Sequence, residues 1–513
     1  MSTLKKLASQ TAVYGVSSIV GRLLNVLLVP MYTRVFLPAE YGIVTNLYAF
    51  VTFLNVLFTY GLETAFFRFY QQEEDKQSVF STSLLSIIIS SIVLAGSFIL
   101  FSEPLAQWIS SREGSVAVPA KYVTWFALVI ASDAITAIPF AKLRQENKAF
   151  KFASIKMIAI VVNVALNLFF LLYCPSALKK NPQSWVASFY DPTYGVAYVF
   201  AINLVTSLLT LVLLLPDIFK ARFRLDSALW KKMMVYSIPL LVAGFAGMIN
   251  ETFDRLMIPW LIPDKASAMD QLGIYGACYK LSIIMTLFVQ TFRFAAEPFF
   301  FSQASREDAK EVYAKVMHYF VLFCSLIFLV VMLYIDIVKH FIGDRYHSGL
   351  RIVPILLMAN LCLGVFYNLS IWYKLSGRTH WGAILSIVGA AITLLLNFLL
   401  IPVMGYMGAA WATLVCYAGM MLLSFFAGQK NYRVPYDIGS FFFFTLSALA
   451  CYVLGEIIRS QFSPSHGWLL VINTILLLAF MATAAVYETR KNSYLRLLLF
   501  RKKSNAGQDP QPL

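Results

Sequence analysis

The amino-acid sequence predicts an all-α integral membrane protein of about 14 transmembrane helices. It predicts two parallel-repeat six-helix bundles around a central cavity, plus two further C-terminal helices. Three observations carry that expectation: the composition, a series of long apolar runs, and a weak internal repeat. Hydrophobic residues make up 59% of the 513-residue chain and Asp, Glu, Lys and Arg only 13%, with a mean hydropathy of +0.71. A soluble globular chain carries about 25% charged residues, so little surface here could face water. Disordered, fibrous and disulfide-scaffold classes are excluded as well. Five of the six cysteines lie inside apolar runs and Cys174 ends one, with no CxxC spacing, so neither a metal site nor a disulfide framework is expected.

A spanning helix needs about 20 mostly apolar residues. The first candidate, 12–30, follows the basic start MSTLKKLASQ and ends at no small-residue cleavage site, so it reads as a span and not as a cleavable signal. Five more follow at 42–62, 80–101, 120–141, 154–173 and 194–216, closing a first bundle over 1–232. Spans at 233–252, 272–296, 313–335, 351–373, 382–402 and 408–428 make the second bundle, 233–438. Two extra spans, 439–459 and 467–487, occupy 439–487, and a basic, partly disordered cytoplasmic tail takes 488–513. With the N-terminus inside, 28 Lys and Arg fall on the inner side and 11 on the outer. That bias places both termini in the cytoplasm, and it explains the net charge of +15 without nucleic acid.

The two bundles echo each other. At an offset of 234, Tyr41-Gly42 falls on Tyr275-Gly276, Thr52 on Thr286, Glu63 on Glu297 and Phe66-Phe67 on Phe300-Phe301. Lys142-Leu143 precedes Asn167 by nearly the distance that separates Lys374-Leu375 from Asn397. Corresponding spans are six apart, so the copies share one orientation, and transporters place their substrate path between such halves. Chance similarity among Leu-, Ile- and Phe-rich helices is the alternative.

Polar stripes point the same way. The first span carries Thr11, Tyr14, Ser18, Arg22 and Asn25 on one face. The second carries Thr45, Tyr48, Thr52, Asn55, Thr59 and Glu63, and the eighth Tyr279, Ser282, Thr286, Gln290, Arg293 and Glu297. Such stripes face a hydrated cavity or a neighbouring helix, since lipid would leave them unsatisfied. Arg22 lies mid-span, where insertion costs roughly 2.5–3.5 kcal/mol. Arg34 and Arg255 stand on the outer side against the charge bias, and Lys280 lies near a span end, where it could snorkel. Arginine grips phosphate oxygens through two N–H groups, so cations lining a cavity suit a phosphate or diphosphate headgroup. Glu63, Glu251, Asp254 or Glu297 could instead neutralise them internally. Glu63 and Glu297, each ending a stripe, are candidates for an inner gate closed by Arg68, Lys142, Arg293 and Lys374.

No P-loop, HExxH or GxSxG pattern occurs, and the five histidines are scattered, so no ATP use, metal centre or cofactor is expected. No outer connection is long enough to hold a catalytic domain.

The order of short motifs resembles a known family. Gly21-Arg22, Val29-Pro30, Thr33-Arg34 and Glu40-Tyr41-Gly42 are similar to the opening of Wzx-type polysaccharide flippases. These belong to the multidrug/oligosaccharidyl-lipid/polysaccharide exporter superfamily. Asn250, Asp254-Arg255-Leu256, Leu272 to Gly276 and Tyr279-Lys280 resemble its middle, and Lys374 to Thr379 a later motif. The resemblance implies translocation of undecaprenyl-diphosphate-linked oligosaccharide across the bacterial inner membrane, for polysaccharide or lipopolysaccharide biosynthesis. It also implies alternating access, with a polysaccharide polymerase or glycosyltransferases as partners. On that reading Arg22, Asn25, Arg34, Arg255, Lys280 and Arg293 bind substrate, while Glu63, Asp254 and Glu297 gate or couple an ion. The rival functions are a cation-coupled multidrug antiporter and a membrane-embedded polymerase, ligase or glycosyltransferase.

Overall fold

The computed structural model describes residues 26–113, 118–222, 224–462 and 465–491. Among the described residues there is no strand, and 13 helices are long and apolar enough to cross a membrane. They coincide with 13 of the 14 predicted spans. The remaining one, 12–30, lies almost wholly outside the described residues, and Arg22 and Asn25 lie outside them with it.

In chain order the first half holds α1 (Val29–Val35), α2 (Pro38–Thr59), α3 (Leu62–Gln72), α4 (Lys76–Leu100), α5 (Ser102–Glu113), α6 (Ala120–Gln145), α7 (Ala149–Leu168) and α8 (Ala197–Ile218). Then come α9 (Ser227–Leu261), α10 (Lys265–Leu281), α11 (Ile283–Gln303), α12 (Ala309–Leu333), α13 (Val353–Leu369), α14 (His380–Met404) and α15 (Tyr406–Asn431). Two last helices follow, α16 (Ile438–Phe462) and α17 (His466–Lys491).

Local chemistry sets the breaks. Pro38 opens α2, where its missing N–H costs nothing, and the Glu40 carboxylate accepts the Leu37 N–H at 2.8 Å. Tyr60 and Gly61 both adopt positive φ, +33° and +72°, which ends α2 and restarts the chain as α3. Glu63 thereby falls in the first turn of α3, where the helix dipole favours a carboxylate. Asp75 caps α4 by accepting from Ser78 and Gln77, and those bonds, with Arg222 nearby, hold its carboxyl below the usual range. The predicted span 272–296 is not one helix: it breaks at Ser282, whose hydroxyl donates to the Tyr279 carbonyl at 2.7 Å. Hydropathy runs on smoothly there, and the competing hydroxyl bond accompanies the break.

Contacts divide the described residues into two compact units: those up to Glu297 with Lys339–Gly428, and Pro298–Val338 with those from Gln429 onward. Inside the first unit, α2 and α10 cross closely through glycine. A Cβ on Gly273 would stand 1.9 Å from the Pro38 carbonyl oxygen, and one on Gly42 would stand 2.2 Å from that of Met269. Small residues let membrane helices approach so closely, and here the two helices carry the repeated Tyr-Gly motif.

The second unit packs α12 against α16 and α17. Asn473 donates to the Leu333 carbonyl at 2.5 Å, and Arg459 pairs with Asp336 and, at 2.8 Å, with Glu456. At the other helix ends His318 meets Glu488 and Asp437, and Lys491 pairs with Asp437. Apolar side chains such as Leu446 and Ile475 project outward, as lipid contact requires.

Candidate substrate cavity

A cavity of about 470 Å³ opens in the first unit, between α2 and the α9–α11 segment. Its lining follows the predicted stripes. Thr45, Tyr48 and Thr52 of α2 face it, as do Tyr279 of α10 and Thr286 and Gln290 of α11. Val26, the first described residue, also lines it. A second cavity of about 530 Å³ lies between α6, α7 and α8, and the continuation of the α2 stripe, Asn55 and Glu63, faces that one. Asn163 of α7 and Asn203 of α8 line both.

Arg255 and Lys280 are the cations that line the first cavity among the described residues. The Arg255 guanidinium lies over the Tyr279 ring, 4.3 Å from its centroid, and donates to the Glu251 carbonyl at 2.8 Å. Asp254 sits behind it, 3.6 Å from Nη1, held by the Tyr275 hydroxyl and the Arg255 backbone N–H. Asp254 is buried and positions Arg255 without lining the cavity. Lys280 is different: among the described residues its ammonium has neither a carboxylate nor a hydrogen-bond partner. Across the same cavity the Glu251 carboxylate is likewise without an ion pair among the described residues.

The other predicted site residues lie elsewhere. Arg34 is exposed and donates to the carbonyls of Pro30, at 2.8 Å, and His340, at 2.7 Å, away from the cavity lining. Arg293 stacks over Tyr367, 4.5 Å from its centroid. The Glu63 carboxylate pairs with Arg144, and the Glu297 carboxylate pairs with Lys374 at 2.8 Å. Of the cations expected around those glutamates, Lys374 alone takes that place. Arg68 lies over Tyr236 at 4.5 Å, and Lys142 is buried over the Phe80 ring at 3.8 Å.

Between the cavities runs a chain of amide bonds. Tyr32 donates to Asn167 at 2.8 Å, Asn167 to Asn163 at 3.2 Å, Asn163 to Asn203 at 3.3 Å, and Asn203 to the Tyr48 hydroxyl. The second cavity also holds Asp133 and Lys156, which sequence reasoning missed. Asp133 interrupts the apolar run FALVIASDAITAIPF, so the mid-span argument that singled out Arg22 would have found it. Lys156 was hidden among the basic residues of an inner connection.

This fold is similar to that of "Lipid II flippase MurJ, inward closed conformation", with a TM-score of 0.67 at 14% identity over 93% of this chain and 98% of that one. It is also similar to a multidrug resistance MATE family transporter of the MOP superfamily in an inward-facing conformation: TM-score 0.59, 12% identity, 80% and 94% coverage. The Vibrio cholerae MATE transporter VcmN, in a mutant form, gives 0.54 at 13% identity, with 84% and 97% coverage. The fold is therefore shared with that flippase and those MATE transporters. The family model described as "Polysaccharide biosynthesis protein" matches residues 7–303, more than half of the chain, and the chain belongs to that family. No curated protein matches it by sequence.

Proposed function

We propose that this protein flips undecaprenyl-diphosphate-linked oligosaccharide units across the bacterial inner membrane, by alternating access without ATP. The observation that carries the reading is Lys280, which lines a cavity beside Arg255 and makes no ion pair among the described residues. A charge inside a membrane protein is retained where it pairs or binds, and a diphosphate supplies what Lys280 lacks. The stacked, carboxylate-backed Arg255 presents its remaining N–H groups in a fixed fork, which suits phosphate oxygens. The lipid chain stays in the bilayer while the headgroup occupies the cavity. Both termini face the cytoplasm, and the membrane potential contributes to export. Each charge crossing 100 mV is worth about 2.3 kcal/mol, so a diphosphate with about two negative charges gains about 4–5 kcal/mol.

A second reading, cation-coupled antiport, is favoured by Glu251, whose carboxylate faces the same cavity. The test is flipping of a fluorescent undecaprenyl diphosphate in proteoliposomes. Lys280→Gln is expected to slow it at least tenfold and Lys280→Arg much less. Normal flipping by Lys280→Gln and Arg255→Gln together would remove the phosphate assignment. A drug-driven proton flux lost in Glu251→Gln would favour the antiporter.

A further inference from the structure

We propose that the second cavity receives the sugar next to the diphosphate and sets which glycan the protein accepts, with neutral hexoses and N-acetylhexosamines as its ligand class. The proposal rests on the phosphate reading of the adjoining cavity and extends it to a separate set of residues.

Continuity is the first argument. Asn163 and Asn203 line both cavities, so a ligand whose phosphates sit at Arg255 and Lys280 has its next group at the mouth of the second. Size is the second. About 530 Å³ lies within the roughly 300–1,000 Å³ of small-ligand pockets.

The lining chemistry is the third argument. Asn55, Asn163, Asn203, Thr206, Ser207 and Thr210 surround the space with amides and hydroxyls. Thr206 and Thr210 donate to carbonyls of their own helix, at 2.8 and 2.9 Å, so both hydroxyls face a ligand as acceptors, with Thr206 also accepting from Asn163 at 3.3 Å. Asn203 donates to Val199 at 2.7 Å and to Tyr48, and its side-chain oxygen, which accepts from Asn163 at 3.3 Å, keeps a second lone pair for a ligand hydroxyl. Sugars are donor-rich and match such a surface.

Charge is the fourth. Glu63 and Asp133 are balanced by Arg144 and Lys156, with Glu63 and Arg144 paired directly and Asp133 acted on by Ser207 and Lys156. A lining whose charges balance among the described residues gives a uronic acid no advantage, whereas the first cavity holds the unpaired Lys280 ammonium. The Asp133 carboxylate is the strongest acceptor in the pocket and can take two neighbouring ring hydroxyls.

The test compares binding of bare undecaprenyl diphosphate with undecaprenyl diphosphate carrying glucose, galactose, N-acetylglucosamine, N-acetylgalactosamine or glucuronic acid. The full chain is used, in lipid nanodiscs. At least one neutral sugar should raise affinity tenfold or more over the bare lipid, and glucuronic acid should not. Asp133→Asn with Thr206→Val should bring that ratio close to one, and Thr210→Val alone should lower it several-fold if the double variant folds poorly. A ratio near one for every sugar in the unaltered protein overturns the proposal while leaving the phosphate reading standing. Failure of the bare lipid to bind removes the phosphate reading, and this proposal with it. Asp133→Asn that stops flipping but keeps full sugar discrimination would show that the second cavity serves an ion instead.

Discussion

The segments that align at an offset of 234 residues differ in charge. Lys280 of α10 falls on Asn46 of α2, and Arg293 of α11 on Thr59, so the second copy carries charge where the first carries neutral polar groups. The ends of the stripes agree: Glu63 pairs with Arg144 and Glu297 with Lys374, each carboxylate finding a cation within its own half. The asparagines diverge again. Asn167 is bonded to Tyr32 and Asn163, whereas both polar atoms of the buried Asn397 side chain lack a partner among the described residues. The aligned segments thus differ in the chemistry they bring to the cavities. One cavity wall presents cations, and the other presents the amides and hydroxyls that continue into the second cavity.

The crossing of α2 and α10 offers the largest expected effect. Gly273→Ala drives a Cβ into the Pro38 carbonyl, and backbone cannot yield as a side-chain tip can. Overpacking of this kind costs about 1–3 kcal/mol or more. Gly96 of α4 has nothing within 4 Å of its would-be Cβ, so Gly96→Ala should be neutral or stabilise by up to about 1 kcal/mol. Thermal unfolding in detergent compares the two. Equal melting temperatures would mean that α2 and α10 do not meet through their glycines.

The asparagines come next. Asn167→Leu leaves the Tyr32 hydroxyl without its acceptor, and a buried unsatisfied group costs about 1–3 kcal/mol. Asn397→Leu removes two atoms that have no partner among the described residues, and should be neutral or stabilising. If Asn397→Leu destabilises as much as Asn167→Leu, the asymmetry between the halves is not energetic, and Asn397 finds a partner in another conformation.

The fold was legible because hydropathy and length govern membrane insertion directly, and 13 predicted spans reappear as helices. The break at Ser282 was not, since no change in hydropathy marks it. Periodicity placed Thr45, Tyr48, Thr52 and Tyr279 on cavity walls correctly, because one helix face is a local property. It could not separate the two cavities, whose boundary depends on Asn163 and Asn203 arriving from α7 and α8. Pairing was the least legible feature. Arg144, not Lys142, meets Glu63, because Lys142 turns into the core over Phe80, and two residues of helix are about 200° of rotation. Arg34 showed the same limit: its charge was evident, but its carbonyl partners Pro30 and His340 were not.

The smallest effect separates a shared gate from two independent staples. Both ion pairs are partly exposed. The side chains are 38% and 35% accessible in Glu63–Arg144, and 40% and 23% in Glu297–Lys374. Such pairs contribute about 0–1 kcal/mol to stability, so Glu63→Gln and Glu297→Gln should each leave the melting temperature nearly unchanged. Their effect belongs in transport. If the pairs hold the same end of each half in one conformation, removing either biases the alternating equilibrium, and the double variant should slow flipping more than the sum of the singles. Exchanging the partners, Glu63→Arg with Arg144→Glu, should restore most of the rate lost by Glu63→Arg alone, because the attraction is rebuilt with its sign reversed. Cysteines at 63 and 297 add the decisive readout. Crosslinking that appears only when substrate is supplied on one side would show that the two carboxylate ends come together during the cycle. Strictly additive variants without crosslinking in any condition would leave each pair a local staple, one in each copy.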